Sequence, residues 1–240
     1  MSTNKEEQKV PVQIPVKEKE SALNTFMEDP IVQAESFYEK NKKTFNILSS
    51  VVLGAVVLFA GWKYYSDSQE QEASSQMFQA VYYFEADSLN KALNGDGNHL
   101  GLLEIADEYG LTKSGNLAKF YIGVSYLKQG KFEEAIESLK GFSGGDLLVQ
   151  ARAYSLIGDA NMELKQFDEA ANYYQKAADY KPTKEFTPSY LLKLGLAQEK
   201  SGDLEKALET YNSLVDQYPN SQSANDAKRS KGFVESALSK

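Results

Sequence analysis

Nineteen consecutive residues, 44–62, carry no charge and lie between Lys43 and Lys63. As a helix rising about 1.5 Å per residue they cover roughly 28 Å, close to the ~30 Å hydrocarbon core of a bilayer. A buried helix of a soluble protein is the alternative, but such helices rarely stay uncharged on every face over this length. Trp62, Tyr64 and Tyr65 gather at one end in the manner of an interfacial aromatic belt. The stretch therefore predicts one transmembrane helix over 44–65, and the rest of the chain must fold on one side of it or the other.

The flanks set an orientation. Lys40, Lys42 and Lys43 precede the span, whereas only Lys63 follows it before Asp67, Glu70 and Glu72. Positive charge is retained on the cytoplasmic side, so the N-terminus is expected in the cytoplasm and the long C-terminal part across the membrane. The run before the span is too long for the n-region of a cleaved signal peptide, and no small-x-small site closes the apolar stretch. The expectation is an uncleaved signal anchor. With no cysteine present, neither a disulfide nor a cysteine-linked lipid enters the reading.

Residues 1–28 mix Lys and Glu with Pro11 and Pro15 and show no helical stripe, which predicts a disordered cytoplasmic tail. Val12, Ile14 and Val16 within it are an alternative extended motif for a cytosolic partner. Asp29 as N-cap and Pro30 at the first helical position open an amphipathic juxtamembrane helix over 29–43, bearing Ile31, Ala34, Phe37 and Tyr38. No breaker separates it from the span, so one continuous helix fits equally. Inside the span Ser50, Gly54 and Gly61 share a face on which a second membrane helix could pack closely.

Beyond the span, residues 66–115 read as a helical connector and a degenerate repeat, with Met77, Phe78, Val81, Tyr82, Phe84 and Leu89 marking where packing is expected to begin. The turn Asn94-Gly95-Asp96-Gly97-Asn98 interrupts it. That turn is not a calcium loop, because Ala92 and Leu103 would stand where the first and last carboxylates are required. Charge excludes another class. Residues 1–43 hold seven Lys against eight acids, and the part after the span carries 18 basic and 26 acidic residues of a chain whose net charge is −8. Phosphate contacts need clustered Lys and Arg, so no nucleic-acid partner is expected.

From residue 116 onward the sequence repeats. Gly123, Gly158 and Gly195 are 35 and 37 residues apart, and so are Ala135, Ala170 and Ala207; Pro182 and Pro219 are also separated by 37. Such a period predicts stacked helix–turn–helix units. Each of the three glycines falls mid-helix, where its penalty of roughly 1 kcal/mol is tolerated if a partner helix crosses closely. The alanines are the opposing small residues, with Leu139, Tyr174 and Tyr211 filling space one turn on. Gly130 and Gly202 are expected to end first helices in left-handed caps, and the two prolines to end second helices.

On these residues the stretch 116–220 resembles three tetratricopeptide repeats (TPR), followed by a capping helix in 221–240. The family's tryptophan is replaced by Lys119, Tyr154 and Leu191, its tyrosine survives only at Tyr126, and the first repeat lacks its closing proline. The resemblance implies an all-α TPR helix–turn–helix solenoid preceded by a single transmembrane helix. A short cytosolic tail, one signal anchor and an acidic repeat domain are together similar to the bacterial ancillary SecYEG translocon subunit (YfgM-like) family. That implies a scaffold at the inner (cytoplasmic) membrane with its domain in the periplasm, and translocon subunits, chaperones or exported chains as partners. A structural subunit of another envelope assembly, in secretion, outer-membrane biogenesis or wall synthesis, is the alternative.

Solenoids of this kind present a concave wall built from their first helices. The register places Leu117, Phe120, Val124 and Leu127 there from the first repeat. The second supplies Arg152, Ser155, Asp159 and Met162, and the third Ser189, Leu192, Lys193 and Leu196. The family's carboxylate clamp needs a set of Lys, Asn and Arg that only Arg152 and Lys193 resemble, so an extended, partly apolar polypeptide is the expected occupant. Some of these apolar residues, Phe120 and Leu127 above all, equally suit packing on the preceding helices. No cofactor, metal or small-molecule substrate is expected. His99 is the one histidine and cysteine is absent, which leaves no Ser-His-Asp, Cys-His or His-based zinc site, and no phosphate-binding loop is present.

Overall fold

The computed structural model describes residues 30–146 and 148–239, and these are helical with no strand among them. The expected tail over 1–28 and the N-cap Asp29 lie outside the described residues. The longest helix, α1 (Pro30–Glu85), runs through the boundary between two compact units, Met1–Lys63 and Tyr64–Lys240.

In the first unit α1 departs from helical geometry once, at Asn41 (φ −114°, ψ 16°), where two helices meet across a kink. The Asn41 Nδ2 donates to the Phe37 carbonyl at 2.9 Å, a side-chain bond that competes with the backbone ladder. The amphipathic stretch and the apolar stretch thus join in one kinked helix. Its segment Phe37–Glu85 is long and apolar enough to cross a membrane, with a mean hydropathy of 2.0 in a window of which none is buried within the protein. Ser50 hydrogen-bonds back to the Asn46 carbonyl at 2.7 Å. Nothing lies within 4 Å of where a Cβ would stand on Gly54 or Gly61, so this face is open along the chain's own helix.

The second unit begins with the C-terminal part of α1. Its Glu70 carboxylate accepts from the backbone N–H groups of Lys113 and Ser114 at 2.7 and 3.2 Å and from the Ser114 hydroxyl at 2.8 Å. These donors open α4 (Lys113–Lys128), so a carboxylate from another helix satisfies orphan N–H groups at a helix N-terminus. Between α1 and α4 stand two short helices, α2 (Leu89–Asn94) and α3 (Leu102–Glu108). In the stretch read as a degenerate repeat these two short helices are separated by the glycine-rich turn, where Gly95 (φ 79°) and Gly97 (φ 89°) adopt positive φ. Met77, Ala80, Leu93, Leu102, Ile105 and Ile122 bury one another across these four helices.

Three helix pairs follow. They are α4 with α5 (Phe132–Gly141), α6 (Val149–Glu163) with α7 (Phe167–Asp179), and α8 (Thr187–Ser201) with α9 (Leu204–Gln217); α10 (Gln222–Leu238) closes the series. The same close contact recurs in each pair. A Cβ on Gly123 would stand 2.4 Å from Leu139 Cγ, one on Gly158 2.6 Å from Tyr174 Cε1, and one on Gly195 2.3 Å from Tyr211 Cε1. The glycines are therefore faced by the large side chains, with Ala135, Ala170 and Ala207 fully buried one turn earlier on the same second helices. Both tyrosine hydroxyls reach back to an acid on the first helix, Tyr174 to Asp159 at 2.7 Å and Tyr211 to Glu199 at 3.2 Å.

The first helices end as the register requires, with one exception. Gly130 (φ 73°) and Gly202 (φ 90°) turn the chain in the left-handed region, but the middle repeat places Lys165 (φ 58°) there. Lys165→Gly is expected to raise stability by about 0.5–1 kcal/mol. The left-handed penalty of about 1–2 kcal/mol is relieved, and the entropy that glycine adds to the unfolded chain takes part of it back. Urea denaturation of the two proteins checks this; an unchanged or lower midpoint would show that the turn carries no strain.

Candidate partner-binding wall

The wall residues named from the sequence divide into exposed, paired and buried positions. Arg152 is exposed, Leu196 is 41 % exposed, and Ser189 is half-buried with its hydroxyl donating to the Phe186 carbonyl at 2.7 Å. Ser155, by contrast, is only 4 % exposed and offers almost no surface. Met162 packs against the cluster of Ala170, Tyr174, Leu194 and Ala197. Leu117, Phe120 and Leu127 lie on the core formed by Leu139, Phe142 and Ile157, and Leu192 on the core around Tyr211. Much of the apolar floor read from the register is thus the cement between neighbouring pairs.

Asp159 and Lys193 meet across α6 and α8. The Lys193 Nζ donates to both Asp159 oxygens, at 2.7 and 2.8 Å, and lies 3.3 Å from the Ser155 hydroxyl. Asp159 also accepts from Tyr174, whose hydroxyl is held well above its ordinary range first by burial and then by the Asp159 charge. Tyr174 therefore remains a donor at any physiological pH, and the four side chains form one satisfied network. Lys193 is thus ion-paired with Asp159 while its side chain stays 40 % exposed, and Arg152 is the exposed cation of the expected pair. A two-cation clamp does not form here.

Two residues of the apolar set read as the start of packing on α1 are not buried. Phe78 is 77 % exposed and Tyr82 59 %. They stand with Val81 of α1 and with Leu117 and Tyr121 of α4 along a groove of about 380 Å³, rimmed by Ser74, Ser114 and Glu85. Two aromatics at i and i+4 beside the buried pair Met77 and Ala80 were the available signal, since one helix cannot bury both faces on the same neighbour. An apolar aromatic groove thus lies on α1 and α4. The ionic network lies on α6 and α8.

A family model for the tetratricopeptide repeat matches residues 122–185 and again residues 155–222. Residues 122–222 carry tetratricopeptide repeats. Among solved structures, the nearly identical TPR-like repeats of a Podosopora anserina protein assigned as a kinesin light chain align with a TM-score of 0.55 at 14% identity, covering 71% of this chain and 88% of that one. The MamA protein aligns with a TM-score of 0.51 at 22% identity, over 70% of this chain and 86% of its own. At these identities the likeness is one of fold. No curated protein matches the sequence. TPR domains are protein–protein interaction scaffolds, and nothing among the described residues points to catalysis.

Proposed function

We propose that this protein is a membrane-anchored TPR scaffold whose repeat domain works on the extracytoplasmic side of a bacterial inner membrane, as an accessory of the Sec translocon or its periplasmic chaperones. One observation carries the reading: an unburied, uncharged segment of membrane-spanning length lies in the same chain as a TPR array. The lysine bias around that segment supports the orientation, with the N-terminus cytoplasmic. In this reading Ser50, Gly54 and Gly61 are the face offered to a partner's membrane helix. Arg152, Ser189, Lys193 and Leu196, together with Phe78 and Tyr82, are the face offered to client or chaperone segments. Confinement to the membrane raises the effective concentration of membrane-bound partners, so the wall can work at micromolar affinity, roughly −8 kcal/mol.

Copurification from gently solubilised membranes, after crosslinking from photoreactive residues placed at 78, 152 or 196, tests it. SecY-type channel subunits, chaperones or exported chains are expected on the wall positions and not on a position of the opposite face such as 169. Recovery of an unrelated envelope complex would favour a structural subunit of another assembly. Equal crosslinking from both faces would remove the wall from the proposal.

A further inference from the structure

The starts of the first helices are stitched to one another along one edge of the repeat domain. The Glu70 carboxylate of α1 holds the N–H groups of Lys113 and Ser114. Asn116 of α4 exchanges two hydrogen bonds with the Ser143 backbone, at 2.9 and 3.1 Å, in the loop that leads to α6. The residues leading to α8 reach that same loop. Tyr180 donates its hydroxyl to the Gly144 carbonyl at 3.1 Å, and Lys181 its Nζ to the Gly145 carbonyl at 2.8 Å. At the opposite end Asp87, just past α1, pairs with Lys128, the last residue of α4. α1 and α4 therefore run parallel, and the stitched edge is the end of the domain on the Tyr65 side. It begins at Glu70, a rise of about 7.5 Å along the helix beyond Tyr65.

Leu111, Leu148 and Phe186 stand on this edge, 37 and 38 residues apart, each at or next to the N-cap of a first helix. They are 95, 44 and 44 % exposed. The turns at the other end of the three pairs, 129–131, 164–166 and 201–203, carry no exposed large apolar residue. Single exposed hydrophobics are ordinary, but one per repeat, always at the same end, is a pattern. The N–H groups beside them are already answered from within the protein. Leu148 and Val149 donate to Asp146 at 2.7 and 3.0 Å, and Phe186 donates to the Thr183 hydroxyl at 3.1 Å, as Lys113 and Ser114 do to Glu70. Backbone donors satisfied in this way do not call for a phosphate and tolerate a medium poor in water.

We propose that this edge rests on the bilayer surface, with Leu111, Leu148 and Phe186 inserted between the lipid headgroups. The occupant follows from position. Tyr64 and Tyr65, both exposed, read as the interfacial aromatics that close the uncharged segment, and the edge begins within two helical turns of them. The inference rests on the membrane-anchored reading above, and not on which side of the membrane the repeats occupy. Insertion is apolar rather than ionic, because Asp107, Glu108, Asp146 and Glu185 on this edge outnumber Lys113, Lys181 and Lys184. Three side chains bind a membrane weakly, but the anchor makes the contact intramolecular, so a weak one suffices to restrain the domain about α1.

The test uses the full chain in nanodiscs, where the absence of native cysteine allows single labels. An environment-sensitive fluorophore is placed at Leu111→Cys, Leu148→Cys or Phe186→Cys, at Lys131→Cys or Lys165→Cys on the other end, and at Leu53→Cys within the uncharged segment. Lipids bearing a quencher near the headgroup are expected to remove most of the emission at 111, 148 and 186 and little of it at 131 and 165. A quencher deep in the acyl chains should act at 53. Leu111→Asp with Phe186→Asp should release the label at 148 from quenching, with unchanged melting because both side chains are exposed. Exchanging neutral for anionic lipid, or adding salt, should leave the quenching as it is. Quenching at 53 without quenching at 111, 148 and 186, or equal quenching at both ends, would overturn the docked edge and leave the anchor in place. No quenching at 53 would overturn the anchor, and the docked edge with it. Quenching that requires anionic lipid would overturn apolar insertion, and an emission shift that appears only with two copies per disc would give the edge to a second copy and overturn the lipid assignment.

Discussion

Gly195→Ala is expected to destabilise the repeat domain by about 1–3 kcal/mol, whereas Gly232→Ala should stabilise it by about 0.5–1 kcal/mol. The added methyl at 195 would stand 2.3 Å from Tyr211 Cε1 and 2.8 Å from both Cδ1 and Cζ. The ring cannot swing clear. Tyr211 is fully buried among Leu214, Ala227 and Val234, and its hydroxyl is held by Glu199. Alanine's helix advantage over glycine, about 1 kcal/mol, opposes the clash and is outweighed. At Gly232, an exposed position inside α10 with nothing within 4 Å, only that advantage acts. Urea denaturation of the two variants measures both; the same sign for both would show that the glycine–tyrosine contact is not what locks the pair.

Protease added to spheroplasts is expected to remove the whole chain beyond about residue 65 and to leave an N-terminal fragment shielded by the membrane. The expectation rests on the three-to-one lysine bias around the uncharged segment and on the retention of Lys and Arg at the cytoplasmic face. Detection needs one epitope at each terminus. Survival of the C-terminal epitope until the membrane is broken would place the repeats in the cytoplasm. It would also remove the periplasmic part of the proposed function, leaving the TPR scaffold intact.

The helix pairs were legible because their cause is local and recurs. A mid-helix glycine every 35 to 37 residues, answered by an alanine and a bulky side chain on the next helix, reflects one packing solution used three times. The partner of each glycine was less legible. The spacing pointed to alanine, but it is Leu139, Tyr174 and Tyr211 whose side chains lie over the missing Cβ, since a bulky side chain needs the vacated space more than a methyl does. The wall suffered most. Asp159 and Lys193 are opposite charges 34 residues apart, one repeat period, and that spacing alone could have revealed their pairing on adjacent first helices. Phe78 and Tyr82 were read with Met77 as packing residues but stand exposed, because apolarity alone does not say which face of α1 meets α2, α3 and α4.

The way the buried clusters are shared has a consequence for how the chain becomes folded. One joins α1 through α4, another α5 with α6, and the rest link α6 through α10, so each draws only on helices close in sequence. Loops closed between sequence neighbours lose little entropy, and folding dominated by such contacts is fast. No early helix waits for the C-terminus before it can bury its apolar face. A chain of this design emerging N-terminal end first, from a ribosome or through a channel, can consolidate one pair at a time behind the leading segment. Vectorial synthesis and the order of assembly then run in the same direction.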